Sequence, residues 1–356
     1  MRQEAVVSGD RCSPTTDALR VGVDVAWLPH DRRGMGRFVL QTLLRLQQRS
    51  DLSLTLASRS RADRAALELL LDGSERWRFT TWSGWPRCSL DVCWFPWNRV
   101  DALPRAPRVV TIHDTAAFDW PRKGRWAWLD NHRAQSRLRR AVARADRVMT
   151  VSSFSRDCIA RHLGVASADV VVEGESLAAL AANVPERLHP RPYVLFVGAD
   201  DERKNLGALL EAWRAINRPD LDLVIVGCGG APQPNVVWVA DSDDARLAGL
   251  YRWAELFVMP SRYEGFGLPL LEAMACGTPV AAARAASLPE VGGSAPAWFD
   301  PDDVSEMAAV IDACLNDPSR RAAMAQEGLA QARAFTWERC AEQVVEVLRW
   351  AAASRA

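Results

Sequence analysis

Residues 256–280 read Leu256-Phe-Val-Met-Pro-Ser-Arg-Tyr-Glu-Gly-Phe-Gly-Leu-Pro-Leu-Leu-Glu-Ala-Met-Ala-Cys-Gly-Thr-Pro-Val280. The opening apolar run reads as a buried strand. A turn follows that holds one carboxylate, Glu264, and two glycines, Gly265 and Gly267. Pro269 then opens an apolar-periodic helix and Gly277 closes it, since Pro favours the first helical position and Gly the position just past the end. Glu264 falls in the loop before the helix, and Glu272 falls within about its first turn. They form no pair on one helix face. Both can still line the crevice above the carboxyl end of a parallel strand, where open α/β sheets place ligands. A carboxylate only accepts hydrogen bonds, so two of them suit sugar or ribose hydroxyls. The amides of Gly265, Phe266, Gly267 and Leu268 lie at a helix N-terminus, a ready site for an anion, and Gly allows close backbone approach. A sugar nucleotide carries both kinds of group. The plainer alternative is a strand, a turn and a helix with one exposed carboxylate.

Glu264-Gly-Phe-Gly-Leu-Pro-Leu-Leu-Glu272 resembles the Glu-x7-Glu motif of the retaining, nucleotide-sugar-dependent glycosyltransferases with the two-domain GT-B fold. The likeness continues into Glu272-Ala-Met-Ala-Cys-Gly-Thr-Pro-Val280. It points to the mannosyltransferase-like members of the glycosyl transferases group 1 family. It implies an α/β chain of two doubly wound Rossmann-like domains facing across a cleft.

The length of 356 residues agrees with about two domains. Half the residues are apolar and a quarter charged, as in an ordinary globular protein. Net charge is zero, so nothing global points to nucleic acid. The eight cysteines show no Cys-x-x-Cys and no metal-type pairing with the five histidines. They read as reduced thiols of a cytoplasmic protein. No apolar run is long enough to span a bilayer, and the polar residues 1–19 lack a signal-peptide core and read as a disordered extension.

Along the chain, Arg20 to Trp27 reads as the first strand. Gly34-Met-Gly36-Arg37 follows at a helix start, either a tight turn or a phosphate-approaching loop. The resemblance favours a loop that covers the donor diphosphate or the acceptor. His113 ends a strand at the crevice mouth. Its plain reading is structural, whereas in similar enzymes the His of this His-Asp pair contacts the donor sugar or the transferring centre. Residues 121–147 are basic and aromatic, with Arg133, Arg137, Arg140 and Arg144 at helical spacing beside Trp126, Trp128 and Leu129. This is either a solvated helix face or a surface for anionic lipid; nucleic acid has no supporting motif. Residues 170–172 read as the last strand of this half. Glu173-Gly-Glu-Ser176, then an alanine-rich stretch, stand where the family usually has an Asn-Gly turn.

Residues 184–192 read as the linker between a first domain, 20–183, on the acceptor side and a second, 193–335, that binds the nucleotide sugar. Residues 336–356 are expected to form a last helix packed back on the first domain. Gly198 ends the strand that opens the second domain. Arg203 and Lys204 follow at a helix start, either in a solvated loop or on a diphosphate. The family's similar Arg-Lys-Asn pattern favours the diphosphate. Only about eight residues separate the strands ending at Val226 and starting at Asn235. Parallel neighbours need a crossover of about a dozen or more, so the usual helix is read as reduced to a loop. Asp241-Ser242-Asp243 reads as a helix cap, with a metal-binding Asp-x-Asp as the alternative.

The resemblance implies transfer of a hexosyl unit from a nucleotide-diphosphate sugar, GDP-mannose or a related deoxyhexose nucleotide, to a saccharide acceptor, in some cases lipid-linked. Retention and front-face attack are implied, with no metal and no further cofactor. Arg203, Lys204 and the amides of Phe266 to Leu268 would stabilise the leaving diphosphate. Glu264 would hold donor-sugar hydroxyls, Glu272 the ribose, and His113 would face the reacting side. The place implied is the cytoplasm, with peripheral contact at the inner membrane. Alternatives are a nucleotide-sugar epimerase or phosphorylase on a similar fold, or a non-catalytic partner subunit.

Overall fold

The computed structural model describes residues 18–31, 34–71, 77–125, 127–175, 177–184 and 187–354. The expected N-terminal extension falls almost wholly outside these residues, as do Trp126, Ser176 and two linker positions, Pro185 and Glu186.

The first half alternates strand and helix around a parallel sheet. Its strands are β1 (Leu19–Asp24), β2 (Leu52–Ser58), β3 (Arg78–Thr81), β4 (Val92–Phe95), β5 (Arg108–Thr111), β6 (Arg147–Thr150) and β7 (Asp169–Val170). Its helices are α1 (Met35–Leu46), α2 (Arg61–Leu70), α3 (Ala116–Asp119), α4 (Ala127–Arg144), α5 (Ser153–Leu163) and α6 (Ala178–Ala182). The sheet order is β3-β2-β1-β4-β5-β6-β7, every pairing parallel.

The second half repeats the plan with β8 (Tyr193–Val197), β9 (Asp222–Val226), β10 (Val236–Val239), β11 (Leu256–Met259), β12 (Val280–Ala283) and β13 (Ala297–Phe299). Its helices are α7 (Leu206–Ile216), α8 (Asp244–Arg252), α9 (Leu268–Ala275), α10 (Leu288–Gly292), α11 (Val304–Asn316), α12 (Pro318–Ala332) and α13 (Trp337–Ala353). The order is β10-β9-β8-β11-β12-β13, again all parallel. Strands covered on both faces need continuous apolar runs, and β8, β9, β11 and β12 supply them. Each order reverses direction once, between β1 and β4 and between β8 and β11. Crevices form at those two points.

The crossover from β9 to β10 is a bare loop at residues 227–235. Trp238 does part of the missing helix's work. Its indole nitrogen donates to the Ala231 carbonyl at 3.1 Å, and its ring lies so close to Gly230 that a Cβ there would come within 2.2 Å.

The last helix, α13, leaves the second sheet and lies on the first. Arg45 of α1 pairs with Glu338 at 3.1 Å, the Val172 amide donates to Gln343 at 3.1 Å, and Arg147 stacks on Trp350 at 3.9 Å. Between the layers, Phe38 meets the rings of Trp94, His113 and Trp337 edge-on, at 5.9, 4.9 and 6.3 Å.

Candidate active site

The site is built at the two reversal points, where the strand ends of the second sheet meet those of the first. β11 delivers the chain to Tyr263-Glu264-Gly265-Phe266-Gly267. Gly267 has φ +109° and stands at the N-cap of α9, a conformation that excludes most other residues. α9 starts at Leu268, so Pro269 is its second residue and Glu272 its fifth. Gly277, at φ +75°, ends it in the left-handed region. Ser287 fastens the turn from behind, its hydroxyl reaching the carbonyls of Glu264 at 3.0 Å and Phe266 at 2.7 Å. The Phe266 side chain is buried against Phe335. Among the described residues, no acceptor takes the N–H groups of Gly265, Phe266, Gly267 or Leu268. Free amide donors leading into a helix N-terminus are chemically suited to an anion.

The loop after β8 lies opposite. Gly198 and Gly227 let the ends of β8 and β9 close together; a Cβ on Gly227 would come within 2.9 Å of the Gly198 carbonyl oxygen. Lys204 reaches across to Glu264, Nζ to Oε1 at 2.7 Å, and both are largely buried. Arg203 is held by Asp201 at 3.0 Å, and its carbonyl accepts the Arg262 amide at 2.8 Å. The carboxylate of Glu264 and two cations thus stand together beside the amides of α9. Next to them the Ser261 hydroxyl is buried with no partner among the described residues.

Glu272 has different company. Its Oε1 takes Arg37 Nη1 at 2.6 Å and its Oε2 takes the Tyr251 hydroxyl at 3.3 Å. Arg37 also pairs with Asp244 at the start of α8. Burial pushes the Glu272 carboxyl up to about 7, while Arg37 and Tyr251 oppose the rise. Arg37 comes from the Gly34-Met-Gly36-Arg37 turn, so the first domain supplies a partner to the second domain's carboxylate. The sequence marks Arg37 only as the neighbour of two glycines; its reach across the cleft depends on a tertiary contact. Gly34 has φ +46°, and a Cβ on Gly36 would lie 1.6 Å from the Asp31 carbonyl oxygen. These glycines fold the turn on itself. A pocket of about 410 Å³ is lined by Gln41 and Arg45 of α1, Glu175, Ala179 and Leu180 at α6, and Asp244 of α8.

His113 is buried with its ring turned into the first domain. Nε2 lies 2.9 Å from the Pro96 carbonyl, which fixes that nitrogen as a donor, and Nδ1 lies 3.7 Å from the buried Glu173. Burial raises the Glu173 carboxyl and His113 opposes the rise. The His113 carbonyl oxygen faces Gly265 of the second domain. Gly174 is pressed on the backbone of Trp337, and Glu175 caps α6 through the amides of Leu177 and Ala178, both at 3.0 Å. These contacts occupy the place of the Asn-Gly turn. Asp243 caps α8, accepting the Arg246 amide at 2.7 Å.

Residues 182–331 match the family described as glycosyl transferases group 1, and residues 32–173 match glycosyltransferase family 4. The O-antigen chain mannosyltransferase B of Escherichia coli is 33% identical in an alignment 276 positions long that covers 68% of this chain and 70% of that protein. The MMP alpha-(1->4)-mannosyltransferase of Mycolicibacterium hassiacum is 31% identical over 68% of this chain and 64% of that protein. The match to a serotype-specific mannosyltransferase WbdA of Escherichia coli, 28% identical, spans 57% of this chain and only 28% of that longer protein. Among solved structures, sucrose-phosphate synthase from Thermosynechococcus elongatus superposes with a TM-score of 0.71 at 20% identity, covering 94% of this chain and all of that one. Anabaena HepE in complex with UDP-glucose superposes with 0.72 at 18% identity, covering 93% and 99%.

Proposed function

The chain belongs to the glycosyl transferases group 1 family, and from that premise we propose that it moves a hexosyl unit from a nucleotide-diphosphate sugar to a saccharide hydroxyl with retention at the anomeric carbon. The donor of this reading is GDP-mannose or a related deoxyhexose nucleotide, and the process is bacterial surface polysaccharide synthesis. Support for the sugar comes from the mannosyltransferase relatives.

One observation carries the reading. Lys204 and Glu264 sit in hydrogen-bond contact near four amides, Gly265 to Leu268, that no acceptor takes among the described residues. A sugar diphosphate needs this mixture: cations and N–H donors for the phosphates, a carboxylate for the hydroxyls. As the glycosidic bond breaks, charge grows on the leaving diphosphate. Lys204, Arg203 and the amides of Phe266 to Leu268 meet that charge, with no divalent metal in this account. Preorganised donors of this kind are worth about 3–4 kcal/mol each in other systems. Glu264 holds the donor sugar. Glu272, shared with Arg37, holds the ribose. His113 positions the reacting side through its backbone. In this reading residues 20–183 take the acceptor and residues 193–335 the donor. Calorimetric titration with GDP and UDP tests it: one nucleoside diphosphate binds the protein at one site, and absence of binding by either removes the proposal.

The proposed acceptor is saccharide, free or lipid-linked, and the proposed place is the cytoplasmic face of the inner membrane. α4 supports this. Residues 121–147 hold nine cations against two carboxylates. Trp128 is 62% exposed, and Arg133, Arg137, Arg139, Arg140 and Arg144 are exposed while Leu138 and Ala141 face inward. A basic face with an exposed indole suits an anionic bilayer surface. Among the described residues no helix is long and apolar enough to cross a membrane.

A further inference from the structure

Gly265 presents a problem that a phosphate does not explain. Its φ is outside the left-handed region, so its backbone conformation is open to any residue. What excludes a side chain is space. A Cβ at Gly265 would lie 2.4 Å from the His113 carbonyl oxygen and 3.1 Å from Cβ of Asp114, both in the other domain.

The same residue is gripped by the first domain. Its carbonyl accepts the Ser152 hydroxyl at 2.6 Å and the Ser155 hydroxyl at 3.0 Å. Ser152 is the N-cap of α5, and its oxygen also accepts the Ser155 amide at 3.0 Å. The Ser155 hydroxyl lies 3.1 Å from the His113 carbonyl, so one side chain touches both walls of the contact. On one flank, the Tyr263 hydroxyl meets the Thr115 amide at 3.2 Å and Asp119 at 3.3 Å. On the other, Glu290 of α10 sets its carboxylate on the first turn of α5. The Ser153 amide is 2.9 Å from both of its oxygens, and the Phe154 amide is 3.3 Å from one. A carboxylate at a helix N-terminus satisfies free N–H groups and favours the helix dipole.

We propose that the N-terminus of α5 is the docking point of the second domain, with Gly265 seated between Ser152, Ser155 and the His113 carbonyl and with Glu290 capping the helix across the cleft. Ser152, Ser155, Tyr263 and Glu290 are positioning residues. They fix the turn that carries Glu264, and hence its partner Lys204, against the acceptor side. The proposal rests on the transferase reading for its kinetic arm alone.

Gly265→Ala tests it directly. Ordinary contact begins at 3.4 Å, so the new methyl carbon forces the domains about 1 Å apart at this point. A misplacement of that size costs about a hundredfold in turnover. The groups assigned to the donor include neither Ser155 nor Glu290, so in Ser155→Ala and Glu290→Gln the dissociation constant for the nucleoside diphosphate stays within about threefold. These two variants lower turnover by about tenfold, and they add no atom that a fold must accommodate. A readout independent of activity is amide hydrogen exchange at Ser153 and Phe154, which quickens in Glu290→Gln and in Gly265→Ala. Unchanged exchange in both variants overturns the proposal. So does wild-type turnover in Ser155→Ala and Glu290→Gln, whether or not Gly265→Ala folds. If the parent protein binds no nucleoside diphosphate, the transferase reading fails and the exchange experiment still decides the docking point.

Discussion

Replacing Lys204 separates its pairing with Glu264 from the role proposed for it at the diphosphate. Lys204 Nζ lies 2.7 Å from Glu264 Oε1, with side-chain exposures of 17% and 11%. Lys204→Ala leaves Glu264 largely buried without its cation. Breaking a fully buried pair costs about 3–5 kcal/mol, and the residual exposure places this one near about 3 kcal/mol. For a domain of this size that lowers Tm by about 6–12 °C. Turnover falls as well, by about a hundred- to a thousandfold, through lost stabilisation of the leaving diphosphate. The double variant Lys204→Met with Glu264→Gln removes both charges and keeps the volume. It is expected to regain most of the lost Tm and none of the turnover. The assay is scanning calorimetry beside release of nucleoside diphosphate from the sugar nucleotide that stabilises the protein most. A double variant that is stable and turns over within fivefold of the parent refutes the assignment, because a cation at the diphosphate cannot be dispensable.

Further expectations concern parts away from that pair. Asp24 is fully buried at the end of β1, where its Oδ1 takes the Ala26 amide and the Trp82 indole, both at 3.1 Å, and burial pushes its carboxyl up to about 7. The folded chain therefore holds a proton that the unfolded chain releases, and the stability this gives is complete below about pH 4 and lost as pH rises through 7. Asp24→Asn is expected to gain on the order of 2–4 kcal/mol over the parent between pH 4 and pH 8, read from urea midpoints, and parallel pH profiles contradict this. Asp243→Ala removes the cap of α8 and costs about 1 kcal/mol by the same measurement; no loss means the cap is idle. Changing Arg137, Arg139 and Arg140 to Gln is expected to weaken sedimentation with phosphatidylserine vesicles by about a hundredfold, at about 1 kcal/mol per cation. Sedimentation equal to the parent's would place the contact elsewhere or nowhere.

The second domain was legible because its information is local. Strand, turn, proline and closing glycine follow one another within 256–280, and each has a conformational reason. The shortened crossover was equally plain, since a count of residues between two apolar runs limits what can fit. Harder to read was whatever depends on the two domains meeting. Arg37 looks like the tail of a glycine turn, and nothing in its neighbours announces Glu272, 235 residues away. Gly265 reads as room for a phosphate, while the nearest obstacle to a side chain is the His113 carbonyl. Glu290 sits in the five-residue α10, and nothing in that short segment announces that it caps a helix of the other domain. His113 shows the limit from the other side: its place at a strand end was readable, but the direction of its ring depends on Pro96 and Glu173. The alanine-rich stretch hid α6, a helix of five residues with no amphipathic period, held by the Glu175 carboxylate.

Retaining transfer from a nucleotide-diphosphate sugar is decided by proton NMR of the product. The protein is incubated with GDP-mannose and a mannose oligosaccharide, and the anomeric signal of the new residue is followed from its first appearance. An α-linked mannosyl unit formed in step with release of GDP is the expected result. A β-linked product, or consumption of the donor with no new glycosidic bond, contradicts it.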